Sequence, residues 1–349
     1  MTEKKKDTFE NLREGISWEL LSKYRTELMG CSILGIILFH WYENCMNHGK
    51  TMSMILSICS LGNRFVDAFL ILSGIGLYYS FKKNDNVLQF YIRRLIKLLP
   101  AYCILAIPYW IYYDLFFAKK TIYNVIIDFS FVSFITEGNR RFWFIGLIIV
   151  LYLLFPLFYK IIYGSKNIWI GMGSLLLLYL VLSGAIWKYF PDVYSNIEIA
   201  LGRVLGFMTG VFLGETVYKK RKNLVECFVG ICAGLVMIMM ISHKISHPLA
   251  ANIINRGVLG IFFALFFLIA LVLAMNLLKN AGIYENYIRK ILLFLGKITM
   301  EVYILHVAFR SIFNYPAEVL RYAALIGMAI LIAFPVNRIC NMIAKKIVV

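Results

Sequence analysis

Acidic side chains are scarce in this chain: 19 Asp and Glu stand against 36 Lys and Arg, and charged residues of all kinds make up only 16% of its 349 residues. With 61% hydrophobic residues and a mean hydropathy of +0.75, the sequence is too poor in charge for an ordinary soluble domain. Long polar inserts and low-complexity tracts are missing, so one membrane domain accounts for the chain. No internal repeat is visible, which weighs against an inverted-repeat transporter. The seven cysteines, Cys31, Cys45, Cys59, Cys103, Cys227, Cys232 and Cys340, are odd in number and scattered. They have neither disulfide nor metal-ligand spacing, and no metal is expected. The net charge of +17 would suggest nucleic acid in a soluble chain. Here the cations cluster between apolar runs, with no basic face interleaved with exposed aromatics, so nucleic acid is not expected as a partner. No small-residue cleavage site follows a short apolar core in the first 23 residues, so the first span is expected to be retained.

What is abundant is apolar sequence in runs long enough to cross a bilayer, which predicts an all-α polytopic membrane helix bundle with membrane lipid as its surroundings. Ten spans are expected, at about Leu28–Cys45, Phe65–Phe81, Leu98–Phe117, Phe142–Tyr163, Ile168–Trp187, Ile199–Val217, Leu224–Ile241, Gly257–Leu278, Ile291–Phe313 and Tyr322–Ile343. Thr51–Leu61 reads as a short interfacial helix, and Ile122–Ile135 as a re-entrant or surface segment. Residues 1–26 read as a polar lead-in, with Trp18, Leu20 and Leu21 in the membrane interface and Lys23 and Arg25 in water. Residues 27–344 form the membrane domain and 345–349 a tail. A cytoplasmic N-terminus puts Lys4 to Lys6, Lys82, Lys83, Arg93, Arg94, Lys97, the Lys219–Lys222 cluster, Lys279, Arg289, Lys290, Lys345 and Lys346 inside. That satisfies the positive-inside rule with both termini cytoplasmic.

Three constellations stand out. In YRTELMGCSILGIILFHW, from Tyr24 to Trp41, His40 lies deep in an apolar helix, where an ionisable group marks either a functional cavity or a core histidine bonded to a neighbouring helix. Arg25 precedes it by fifteen residues, about 22 Å of rise and only about 60° of rotation, so the two share a face at different depths. Glu27 lies well around the helix from His40. In GKITMEVYILHVAFR, Thr299, Tyr303, His306 and Arg310 recur at four, three and four residues and form one stripe, which is expected to line a cavity or to hydrogen-bond between helices. Before Leu98 come Arg93, Arg94 and Lys97. Arg94 and Lys97 are one turn apart and suit a phosphate-bearing ligand at a cytoplasmic mouth, although a plain topology signal is the alternative. Arg203 needs an acidic partner or water, and Glu198 and Glu215 are near in sequence.

These stretches, with FVDAFLILSGIGL from Phe65, YIRRLIKLLPAY from Tyr91, WFIGLIIVLYLLFPL from Trp143, LGRVLGFMTGVFLG from Leu201 and LGKITMEVYILH ending at His306, resemble the acyltransferase 3 family of integral membrane acyltransferases. The resemblance implies transfer of an acyl group, usually acetyl from cytoplasmic acetyl-CoA, to a hydroxyl of a cell-surface or lipid-linked glycan. It implies that His40 handles the proton and that Arg94 and Lys97 meet the CoA phosphates; Arg25 and Arg93 are expected beside them. The chain departs from the family pattern at three places. Met29 stands where many members have an arginine, and Arg25, one turn earlier, is the expected substitute. Lys97 replaces a second arginine, and Ile148 and Ile149 occupy a region that is acidic in some members. His306 or Tyr303 is expected to orient the acceptor or stabilise an oxyanion, and Asp67 to hold the His40 tautomer or neutralise an arginine. Thr299, Arg310, Arg203 and Trp143 are expected to line the cavity. The alternatives are a transporter of a lipid-linked glycan, which would move substrate without acetyl-CoA, and an inactive membrane scaffold.

Overall fold

A computed structural model describes residues 16–347. Among the described residues there is no strand, and the helices follow in the order α1 Glu19–Lys23, α2 Arg25–Asn47, α3 Met54–Lys83 and α4 Val87–Phe117. Two short helices, α5 Ile122–Phe129 and α6 Val132–Thr136, occupy the expected surface segment. Then come α7 Trp143–Tyr163, α8 Ile168–Tyr189, α9 Pro191–Tyr218, α10 Leu224–Ser242 and α11 Pro248–Leu278. The series ends with α12 Tyr284–Lys297, α13 Thr299–Ile312 and α14 Val319–Ile347.

Eight of these helices are long and apolar enough to cross a membrane, or nine if α12 and α13, which meet at a bend of 75°, are counted as one span. The remaining expected span is α2. Its 23 residues give about 34 Å of helix, enough for the hydrocarbon layer, and its polar ends dilute an otherwise apolar middle. The expected Thr51–Leu61 helix is continuous with the second span in α3, with a 3₁₀ turn at Leu61–Arg64 between them. The chain alternates in direction, so the start of α2 lies at the same end as the α3–α4 and α9–α10 connections. Most of the clustered lysines lie at this basic end. Lys4 to Lys6 lie outside the described residues.

The expectation for the lead-in is corrected. Trp18, Leu20 and Leu21 are buried against Ala68, Ile71, Val217 and Leu224 rather than laid in lipid. The Trp18 Nε1 donates to the Asn223 side-chain oxygen at 3.1 Å, and its backbone N–H to the Arg221 carbonyl at 3.0 Å. Burial against protein needs the same apolar pattern as burial in lipid, and the helix takes the protein face.

The most extensive helix pairing is α3 against α9, and small residues make it possible. Gly206, Gly210 and Gly214 recur every four residues along α9, and a Cβ on Gly74 of α3 would stand 2.6 Å from the Val211 amide nitrogen. Helices in lipid, without a hydrophobic drive to associate, depend on this close backbone packing. A Cβ on Gly210 would run into the Ile71 backbone. Gly210→Leu is therefore expected to destabilise the detergent-purified protein by roughly 1–3 kcal/mol through overpacking. Gly173→Ala, where open space surrounds the position, should leave the thermal midpoint unchanged or slightly raised.

Candidate active site

A cavity of about 680 Å³ lies within the bundle, walled by α2, α3, α4, α7, α9, α11 and α13. Along α2 it touches Met29, Ile33, Ile36, His40 and Glu43, a length of about 21 Å. Along α13 it touches Thr299, Tyr303 and Arg310, three members of the polar stripe read from the sequence. Trp143 and Arg203 also line it, as expected, and so do Arg94 and Lys97.

The fourth member of the stripe, His306, is fully buried behind the lining, and its placement defines the chemistry of His40. His306 Nδ1 lies 2.9 Å from the Val302 carbonyl, which can only accept, so that nitrogen carries the proton. In a neutral ring His306 Nε2 is then an acceptor, and it receives the hydrogen bond of His40 Nδ1 at 2.8 Å. This chain leaves His40 Nε2 with a free lone pair. That nitrogen lies 3.9 Å from Glu43 Oε2, and Glu43 itself lines the cavity. Protonation of Nε2 would make an imidazolium beside a carboxylate that Arg310 already holds at 2.9 Å. Arg310 is fixed in turn, donating from Nε to the Asn44 side-chain oxygen at 2.6 Å. The arrangement is a proton acceptor with its tautomer set from behind and its charge balanced from the side.

His306 is thus a positioning residue for His40 and does not meet a substrate directly. Tyr303 does line the cavity, its ring 5.7 Å from that of His306 and 5.5 Å from that of Phe144. Asp67 is corrected on one of its two expected roles. It is fully buried and pairs with Arg203, while the tautomer of His40 is held by His306. The neighbours suggested for Arg203 are occupied elsewhere: Glu198 pairs with Arg256 at 3.0 Å and Glu215 with Lys219 at 2.7 Å. Glu27 pairs with Arg289 at 3.0 Å, joining α2 to α12.

At the basic end, two of the four expected cations reach the cavity. Arg94 lines it with its guanidinium over the Phe90 ring, 5.6 Å from the centroid, and its Nε has no partner within the protein. Lys97 lines it from one turn further on. Arg25 and Arg93 lie outside the lining. Arg25 donates from Nε to the Leu72 carbonyl at 3.1 Å and lies against Gly76. Arg93 lies at the helix start near Asn84. Met29 lines the cavity with an apolar surface, so Arg25 does not take the place of an arginine there.

Sequence reasoning overlooked Glu43, although it stands one turn from His40. It also overlooked Arg64, Arg140 and Arg256, which line the cavity as well. These three belong to separate elements far apart in the chain, and no spacing rule connects them.

Comparison with protein families matches residues 28–338, nearly the whole described chain, to the acyltransferase 3 family, whose description is an acyltransferase domain. Searches of curated proteins and of solved structures give no match.

Proposed function

The chain belongs to the acyltransferase 3 family, and from that premise we propose that it moves an acetyl group from CoA to a hydroxyl of a cell-surface or lipid-linked glycan, with His40 as general base. The observation that carries this reading is the single cavity that joins the Arg94–Lys97 pair to the free Nε2 of His40. The basic end faces the cytoplasm of the cell, as the positive-inside rule requires, and receives the CoA.

Arg94 and Lys97 bind the CoA phosphates by charge-assisted hydrogen bonds, Arg94 with its planar fork and Lys97 as a point charge. The apolar stretch Met29, Ile33 and Ile36 guides the pantetheine arm inward. His40 Nε2 takes the proton of the acceptor hydroxyl as its oxygen bonds to the thioester carbonyl carbon. Tyr303 donates its phenol O–H to the tetrahedral oxyanion. Collapse breaks the carbon–sulfur bond, and the proton on His40 passes to the departing thiolate. The ester leaves toward the outer end and free CoA toward the inner.

Radiolabelled acetyl-CoA supplied to the purified protein in nanodiscs, with crude surface glycan, tests this reading. Label should pass to the glycan, with slow hydrolysis to acetate when glycan is omitted. Movement of glycan without consumption of acetyl-CoA would favour a transporter instead. The Arg94→Gln/Lys97→Gln variant should bind CoA about 100-fold more weakly, the loss of two contacts to phosphate at roughly tenfold each. Equilibrium dialysis measures it, and wild-type affinity in that variant would place the donor elsewhere.

A further inference from the structure

The end of the cavity away from Arg94 and Lys97 holds positive charge for which the transfer chemistry has no use. Arg64, Arg140, Arg203 and Arg256 all line it there. Two carboxylates answer them: Asp67 pairs with Arg203, and Glu198 is shared between Arg256 at 3.0 Å and Arg140 at 3.7 Å. Among the described residues no carboxylate stands within ion-pair distance of Arg64. Its Nη1 donates to the Asn255 carbonyl at 2.8 Å, and its guanidinium lies over the Phe263 ring at 5.5 Å.

These groups form one cluster. Gly260 is flanked by Asp67 Oδ2 and Arg64 Nη1, which a Cβ there would approach to 2.6 and 3.6 Å. Gly202, beside Arg203, packs on the side-chain stem of Arg256. Arg203 is only 5% exposed, yet its Nε makes no hydrogen bond within the protein, and the Asn63 side-chain oxygen beside the cluster is also unpartnered. Four guanidiniums against two carboxylates leave two positive charges uncompensated, one on Arg64, half-buried in the membrane domain, and one on Arg140, whose side chain is 48% exposed. Such an excess is costly unless a ligand completes it. Arg310 is excluded from the count because Glu43 neutralises it.

We propose that this cluster binds a phosphate-class dianion borne by the acceptor, so that the hydroxyl acylated at His40 belongs to a molecule held through a phosphate or diphosphate group. A uronate would supply one negative charge and leave the other cation unanswered, whereas a diphosphate diester carries two and offers oxygens in pairs to the guanidinium forks. The acceptor's role rests on the acyl-transfer reading given above. The anion site itself can be tested without it.

Inorganic pyrophosphate, a soluble glycosyl diphosphate, the corresponding neutral glycoside and a uronate are titrated into the full-length protein in nanodiscs. The two diphosphates should bind in competition with each other, with the glycoside and the uronate at least tenfold weaker. Arg64→Gln and Arg256→Gln should each weaken pyrophosphate binding by about tenfold, with Arg64→Lys recovering part of the loss. CoA binding at wild-type strength in these variants establishes that they fold. A lipid-anchored glycosyl diphosphate that binds more tightly than the soluble one identifies a lipid carrier as the source, and equal binding identifies a free sugar diphosphate. The proposal is overturned if pyrophosphate affinity is unchanged in both glutamine variants, if it is lost instead with Arg94→Gln/Lys97→Gln, or if the uronate binds as well. Arginine-dependent binding without any acetyl transfer would leave the anion site standing and remove the enzyme reading alone.

Discussion

His40→Ala is expected to reduce acetyl transfer by roughly 10²–10⁴-fold, the usual contribution of a positioned general base, while CoA binding stays at its wild-type value. The expectation follows from the hydrogen-bond chain from the Val302 carbonyl through His306 to His40 Nδ1, which leaves His40 Nε2 with a free lone pair in the lining. Alanine removes that nitrogen and touches neither Arg94 nor Lys97. Single-turnover assays with labelled acetyl-CoA separate the two effects: the transfer step should collapse while the saturation point for CoA stays put. Turnover within threefold of wild type would remove His40 from the reaction. Lost CoA binding in the same variant would mean that the donor is held near the histidine rather than at the basic mouth.

The largest effect on stability is expected at Asp67→Ala. Its carboxylate is fully buried and pairs with Arg203, which is 5% exposed. Removing one partner strands a guanidinium in a low-dielectric interior, at a cost of about 3–5 kcal/mol. Replacing both, as Asp67→Leu/Arg203→Met, removes the stranded charge with its partner and should recover most of the loss. Thermal unfolding of the detergent-purified variants, followed by size-exclusion profile, reads both. If the single variant unfolds with the wild type, the pair does not hold α3 to α9. In that case the glycine contacts between those helices carry the packing alone.

The bundle was legible because its runs of apolar residues are long, and nine of the ten expected spans fall on one observed helix each; the expected Ile291–Phe313 span is instead broken at Ile298 into α12 and α13, which meet at 75°. His40 and His306 were legible for a related reason, since imidazoles in such runs are conspicuous, and a four-three-four spacing put Thr299, Tyr303 and Arg310 on the cavity wall. What a sequence does not contain is the pairing. His40 and His306 are 266 residues apart, and their contact depends on α2 packing beside α13. Asp67 and Arg203 are separated by 136 residues, whereas a search among sequence neighbours finds Glu198 and Glu215, which other cations hold. Arg93 and Arg94 are adjacent in the chain, but successive residues are about 100° apart around a helix, and only Arg94 lines the cavity. The lead-in was misjudged because lipid and protein select the same apolar residues at Trp18, Leu20 and Leu21.

The length of the central cavity has a bioenergetic consequence. A cavity following α2 for about 21 Å spans much of a hydrocarbon layer of about 30 Å, and a route of that depth, if filled with water, would threaten to short-circuit the proton gradient. The guanidiniums of Arg64, Arg140, Arg203 and Arg256 set a positive electrostatic barrier in its path, of the kind by which pores turn hydronium and alkali cations away. The same charges that would hold an anionic guest would thus also oppose cation leakage along this route.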